Sequence, residues 1–166
     1  MTRRGKNGFT LVELLIVIAI MGILLVLGVA NLRSTQVNAR DTERASDVTT
    51  IATSLEAFYP NGNATVFAGQ YPSTNLVTSP TTYLTDINSN ALMAPGQSSQ
   101  SLVAATNATQ TAAGVTPQPT SSQYVYQPIA SDGTLCTTDA QGCRKYNIYY
   151  QTEFDSVVQI VTSRHQ

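Results

Sequence analysis

Nineteen consecutive residues, Leu14 to Leu32 (LLIVIAIMGILLVLGVANL), carry no charge. At about 1.5 Å rise per residue such a run makes roughly 28 Å of helix, close to the hydrocarbon thickness of a bilayer. Three of the nine basic residues, Arg3, Arg4 and Lys6, precede it. That asymmetry predicts an N-terminal end held in the cytoplasm and a remainder placed outside. Two other readings of the run stay open. One is a buried helix in a soluble core. The other is a secretory signal cut after Ala30, since Gly28-Val29-Ala30 offers the small residues a signal peptidase reads. Glu13 argues against a simple export signal, because a carboxylate entering a membrane is costly unless it is paired and so marks a functional group.

The composition fits an anchor joined to a polar domain. Of 166 residues, 42% are hydrophobic and 11% charged, where about a quarter is usual for a soluble globular chain. The length suits one domain with a modest core plus an anchor. The formal charge is only −1, so disorder driven by net charge is excluded. Between Arg44 and Arg144 there is no Lys or Arg. A broad basic surface for nucleic acid is therefore missing, and no nucleic-acid partner is expected.

The residues Gly5-Lys6-Asn7-Gly8-Phe9-Thr10-Leu11-Val12-Glu13-Leu14 resemble the N-terminus of type IV pilin precursors. The pattern is a short basic leader ending in glycine, then phenylalanine, then F-T-L-V-E-L and an apolar helix. The resemblance implies cleavage by a prepilin peptidase between Gly8 and Phe9, on the cytoplasmic side, and N-methylation of the new Phe9 amine. It also implies that Glu13 pairs with the N-terminal amine of a neighbouring subunit during assembly. Unlike export processing, this cut leaves the apolar helix in the mature chain.

The helix is expected to continue beyond the membrane. Arg40, Asp41, Glu43, Arg44 and Asp47 form a mixed-charge stretch with no helix breaker. Val48, Ile51, Ala52, Leu55, Phe58 and Tyr59 then recur at spacings of three and four, one apolar face of an amphipathic helix. Pro60-Asn61-Gly62 supplies the stop. A continuous helix from Phe9 to Tyr59 would be about 76 Å long. Gly22 and Gly28 allow close helix packing, each at a helix-propensity cost of roughly 1 kcal/mol against alanine. Many pilins carry proline where this chain has Ala30, so partial unwinding near Gly22–Gly28 is left open.

From 61 to 122 the chain is rich in Ser, Thr, Asn, Gln, Ala and Pro, with Asp86 the only charge. Tyr71, Leu76, Tyr83, Leu84 and Ile87 are expected to pin a loop or short helix onto the core, and 97–122 reads as exposed loop. The abundant hydroxyls admit O-glycosylation, and Asn63-Ala64-Thr65 and Asn107-Ala108-Thr109 match the N-glycosylation acceptor tripeptide. Three later runs read as strands: Tyr124–Ile129, Tyr146–Gln151 and Ser156–Thr162, with Asp132-Gly133 and Asp155 in turns. The tyrosines at 124, 126, 146, 149 and 150 read as sheet packing.

The expected fold class is α+β: a long N-terminal helix, membrane-spanning in its first half and amphipathic in its second, packed on a small antiparallel sheet. Residues 1–8 would be the cleaved leader, 9–32 the transmembrane and assembly half of the helix, 33–59 the amphipathic half, and 60–166 an extracytoplasmic head. Within the head, 61–122 is loop-rich and 123–163 forms the sheet. The order of helix, G-Q-Y-P (Gly69–Pro72), Y-V-Y and Y-N-I-Y-Y-Q-T-E also resembles small pilins.

Cys136 and Cys143 are the only cysteines. An extracytoplasmic head makes a disulfide the natural reading, pinning the connection between the second and third C-terminal blocks. A metal pair lacks partners, because the single histidine, His165, lies at a terminus expected to fray. No metal and no cofactor are expected, although Asp132 and Asp139 leave a calcium loop open. There is no phosphate loop and no Ser/His/Asp set, so no catalytic residue is named and the chain is not expected to be an enzyme.

The resemblance implies a structural subunit stored in the cytoplasmic membrane and polymerised into a surface pilus. Its partners would be other copies of itself, the prepilin peptidase, the pilus assembly machinery and the inner membrane. Alternatives are a type II secretion pseudopilin, whose usual calcium-site motif is not found here, a competence or adhesion minor pilin, and a secreted soluble binding domain cut after Ala30.

Overall fold

The structure is a computed structural model that describes residues 9–165, without the side chains of residues 30 and 31. The leader, with Gly8 and its basic residues, lies outside the described residues. So does the Ala30 side chain on which the unwinding and signal-cleavage readings turn. The chain divides into two compact units, up to Val37 and from Asn38 onward. Helix α1 (Leu11–Phe58) begins in the first and ends in the second.

In the first unit the helix is apolar all round, and its large side chains are exposed, from Leu11 and Val12 through Leu25 and Val26. By length and composition it is long and apolar enough to cross a membrane. A helix of this kind is stable only when lipid or protein covers it. Gly22 and Gly28 lie within α1 with open space where a Cβ would point.

In the second unit the expected stripe packs as one face. Val48, Ile51, Ala52, Leu55 and Phe58 are buried, and Tyr59 packs against them. On the outer face the hydroxyls of Thr42, Thr49, Thr50, Thr53 and Ser54 each donate to the carbonyl four residues back. The stop falls where expected: Asn61 and Gly62 donate their N–H groups to Phe58 O (3.1 and 2.8 Å). Gly62 has φ +62°, and a Cβ there would collide with the Val66 carbonyl, so only glycine serves.

The sheet has four strands in the order β1 (Leu102–Ala104), β2 (Tyr124–Ala130), β3 (Cys143–Gln151) and β4 (Val158–Thr162). The last three pair antiparallel, as expected, with Tyr126 opposite Ile148 and Tyr149 opposite Ile160. Ser156 and Val157 belong to the preceding turn rather than to β4, because Thr152 and Val157 hydrogen-bond across it. Pro128 in β2 is tolerated because β1 pairs only as far as Tyr126. The Pro128 carbonyl, on the same side as its ring nitrogen, accepts from Cys136 N instead.

The reading of 97–122 as exposed loop is corrected. This stretch supplies β1, which joins β2 in parallel and makes the sheet mixed. Leu102 is buried against the helix side, while Ala105 and Val115 are buried with Val125 and Tyr149. The cause is β2, all seven of whose residues are buried: its second face needs cover, and this polar segment is the one folded over it. Gln127 fastens the cover by donating to the carbonyls of Asn107 (2.9 Å) and Thr109 (3.1 Å). By contrast, Tyr71, Leu76, Tyr83 and Leu84 are buried as expected. A 3-10 turn at Thr74–Val77 carries Leu76, the one-turn helix α2 (Pro80–Tyr83) carries Tyr83, and Leu84 caps its C-terminal end.

Cys136 and Cys143 form a disulfide with a Cα–Cα distance of 5.8 Å. It closes the connection between the first and second C-terminal strands, not the second and third, because both cysteines precede Tyr146. Beside it Tyr71 N donates to Cys143 O (2.9 Å) and Thr74 N to Cys136 O (3.0 Å), so the G-Q-Y-P segment is stitched to the crosslinked loop. Replacing both cysteines with serine is expected to lower the unfolding free energy by about 2–3 kcal/mol for so short a loop, read from urea denaturation of the detergent-solubilised chain. Thiol titration of the native protein should find none free.

Candidate functional site

Around the start of α1 lie Phe9, which the sequence resemblance marks for cleavage and N-methylation, and Glu13, which it marks for assembly. Phe9 precedes the helix and is 82% exposed. Glu13 lies in the first turn, where an acid complements the helix dipole. Thr10 donates both its N–H and its hydroxyl to Glu13 Oε2, each at 2.8 Å, and its Oγ1 accepts the Glu13 N–H at 3.2 Å. This is a reciprocal capping box. Sequence reasoning passed over Thr10, although T-x-x-E ahead of an apolar run is a signal that could have found it. The hydrogen bonds from Thr10 all fall on Oε2, so Oε1 keeps its acceptor capacity on an exposed face.

A second polar cluster fastens the head to the helix. Arg44, only 2% exposed, donates to Asp41 Oδ1 (2.7 Å), Glu153 Oε2 (3.0 Å) and the Ser121 carbonyl (2.7 Å). Arg40 forks onto both oxygens of Glu153, with Nε to Oε2 at 2.8 Å. Asp41 in turn accepts the backbone N–H groups of Glu153 (2.7 Å) and Phe154 (3.0 Å). The mixed-charge stretch of the helix is thus tied to the β3–β4 turn. Its guanidiniums, Arg40 first and then Arg44, hold Glu153 at about 2, well below its ordinary 4.5.

Glu56 anchors the other end. Its carboxylate accepts from Tyr71 OH (3.0 Å), Tyr146 OH (2.9 Å) and Arg164 N (3.0 Å). Burial first and the Glu56 carboxylate second push both phenols above their ordinary value. His165, expected at a frayed end, is stacked on Tyr59 with ring centroids 4.2 Å apart. The stacking and the Arg164–Glu56 bond hold the C-terminal segment on the helix.

Among the described residues no three His, Cys, Asp or Glu side chains gather as a metal site. Asp132 turns back on Thr134. Asp139 accepts from Ser73 N (3.0 Å) and Tyr83 OH (2.8 Å), joining the disulfide loop to the Tyr71–Tyr83 segment. Burial works against its ionisation, but these hydrogen bonds prevail and hold it below its ordinary value.

Arg44→Ala should cost about 2–4 kcal/mol in urea unfolding, because it leaves buried acceptors without a donor. A carboxylate with a depressed pKa stabilises the fold above its ordinary range and loses that contribution as pH falls. The Glu153 contribution is thus complete above 4.5 and is lost as pH drops toward 2. Asp47 runs the other way. Burial, aided by Glu43 and opposed by a hydrogen bond from Tyr124, raises it from 3.8 to about 6, so its ionisation costs stability as pH rises through that window. Asp47→Asn should therefore raise the melting temperature at neutral pH by a few degrees, with the gain vanishing below 3.8.

Residues 3–29 match the prokaryotic N-terminal methylation motif. No curated protein and no solved structure matches the chain. The match covers the leader, Phe9, Glu13 and most of the apolar run, and it falls where the capping box and the exposed apolar helix lie. With a long helix, a four-stranded sheet and a disulfide behind that motif, the chain is prepilin-like and has an α+β architecture of the pilin kind.

Proposed function

We propose that the chain is a structural subunit of a type IV pilus. It is cut between Gly8 and Phe9, methylated at the Phe9 amine, held in the cytoplasmic membrane by the first half of α1, and polymerised into a surface filament. The observation that carries this reading is the methylation motif over residues 3–29. The all-apolar first half of α1 supports it, since in a filament neighbouring helices would replace lipid around that surface.

Glu13 supplies the register. A carboxylate in hydrocarbon is costly until a cation meets it. Cleavage creates such a cation, because the Phe9 nitrogen changes from an uncharged amide to an amine that is protonated at neutral pH. Thr10 occupies Oε2, and Oε1 is left to receive the amine of the next subunit. Before the cut a chain carries the acid and no matching amine at Phe9, so two unprocessed chains cannot pair. The cut also removes three cations and takes the formal charge from −1 to −4.

Mass spectrometry of protein from its host should find a chain starting at methyl-Phe9; a start at Asn31 would overturn the reading in favour of a secreted domain. Glu13→Ala should enter the membrane normally and yield at least tenfold fewer filaments by electron microscopy of sheared surface material. Filaments at the normal level would remove the pairing role of Glu13.

A further inference from the structure

The two acceptor tripeptides sit in opposite environments, and only one exposes a usable amide. Asn63, Ala64 and Thr65 are all exposed, just after the stop of α1. Three donors converge on Asn63 Oδ1: Thr65 N at 2.9 Å, Thr65 Oγ1 at 3.0 Å and Val66 N at 2.8 Å. They fix which end of the amide is oxygen, and they draw electron density from the carbonyl, which acidifies the Nδ2 hydrogens. Nδ2 is left with one long contact, 3.5 Å to the Thr82 carbonyl. Beside it opens a cavity of about 270 Å³ lined by apolar groups such as Phe58 and Ile87 and by the polar groups of Asn61, Thr82, Thr85 and Asp86, which leaves room at Nδ2 for a bulky substituent.

Asn107 is the opposite case. It is half-buried, and its Nδ2 already donates to Gly114 O (2.7 Å) and Thr116 Oγ1 (3.3 Å) while its Oδ1 accepts from Thr116 N (3.1 Å). The amide is a strut of the segment that covers β2. Freeing its nitrogen would open that cover.

We propose that Asn63 is a site of N-linked glycosylation and that Asn107 is not. The donor class is a lipid-linked oligosaccharide phosphate or pyrophosphate, used by a membrane oligosaccharyltransferase on the extracytoplasmic side. The Asn63 Nδ2–C1 bond forms and the sugar C1–O bond to the lipid phosphate breaks. The lipid phosphate leaves with the electron pair, and the amide proton passes to a base of the transferase. The hydroxyl of Thr65 has a defined place, since it donates to Asn63 Oδ1 and so helps to polarise the amide. The proposal rests on the pilus reading only for the side of the membrane on which the head lies.

The test is intact-mass and peptide mass spectrometry of the full-length protein from its host, comparing wild type with Thr65→Ala, Thr65→Ser and Asn63→Gln. The expected result is saccharide mass on the Asn63 peptide in most chains and none on the Asn107 peptide. The modification should be lost in Thr65→Ala and Asn63→Gln and retained in Thr65→Ser. An unmodified Asn63 in a chain starting at methyl-Phe9, sugar on Asn107, or sugar confined to Ser and Thr hydroxyls would overturn the proposal and leave the pilus reading standing. A chain still starting at Met1 with Asn63 bare would overturn both.

Discussion

The first half of α1 presents leucine, isoleucine and valine in every direction, and the need to keep that surface from water governs the rest of the chain. Each methylene left in water costs about 0.8 kcal/mol, so a helix with some twenty such side chains has no stable soluble state by itself. It has two stable surroundings, lipid and other helices of its own kind. On the proposed pairing, Glu13 and the Phe9 nitrogen would give the second a polar contact that lipid does not offer. A subunit processed as proposed would exchange one apolar surrounding for another, at little cost in buried area, and would gain a charge pair at its first turn.

The second half of the same helix solves a different problem. It must carry a folded head that contributes nothing to the anchor, and it does so through one apolar stripe flanked by two polar fasteners. Arg44 with Arg40, Asp41 and Glu153 secures the β3–β4 turn. Glu56 with Tyr71, Tyr146 and the backbone of Arg164 secures the C-terminal end. Between them the buried tyrosines lay apolar rings in the core and carry their hydroxyls to acceptors at its edge. The disulfide and Asp139 close the far side by fixing the chain around Tyr71 and Tyr83.

Local signals in the sequence were enough for the helix, its stop, its buried face and the three C-terminal strands, two rich in tyrosine and one in valine, because each rests on periodicity or turn chemistry over a few residues. The methylation motif over residues 3–29 was legible because it is contiguous. What stayed hidden depends on partners far away in the chain. Nothing local to Arg44 marks it as buried, because its partner Glu153 lies 109 positions on. Ala105 and Val115 are single small apolar residues in a polar stretch, and only the demand of β2 for cover on both faces makes them core. Thr10 is different: its capping role was written in a four-residue pattern and was overshadowed by the acid it caps.

The outer face of α1 from Thr42 to Ser54 has a consequence for how this surface meets its surroundings. Every hydroxyl bonded back to the helix has already spent its hydrogen on a carbonyl, so what faces outward is largely methyl and methylene. Such a face is wettable, since the oxygens retain lone pairs for water, yet drying it strands few donors. Chemically it sits midway between the oil of the first half of the helix and the salt links at its flank. A helix graded in this way can pass from membrane to water to protein along its length without an abrupt change in the cost of desolvation.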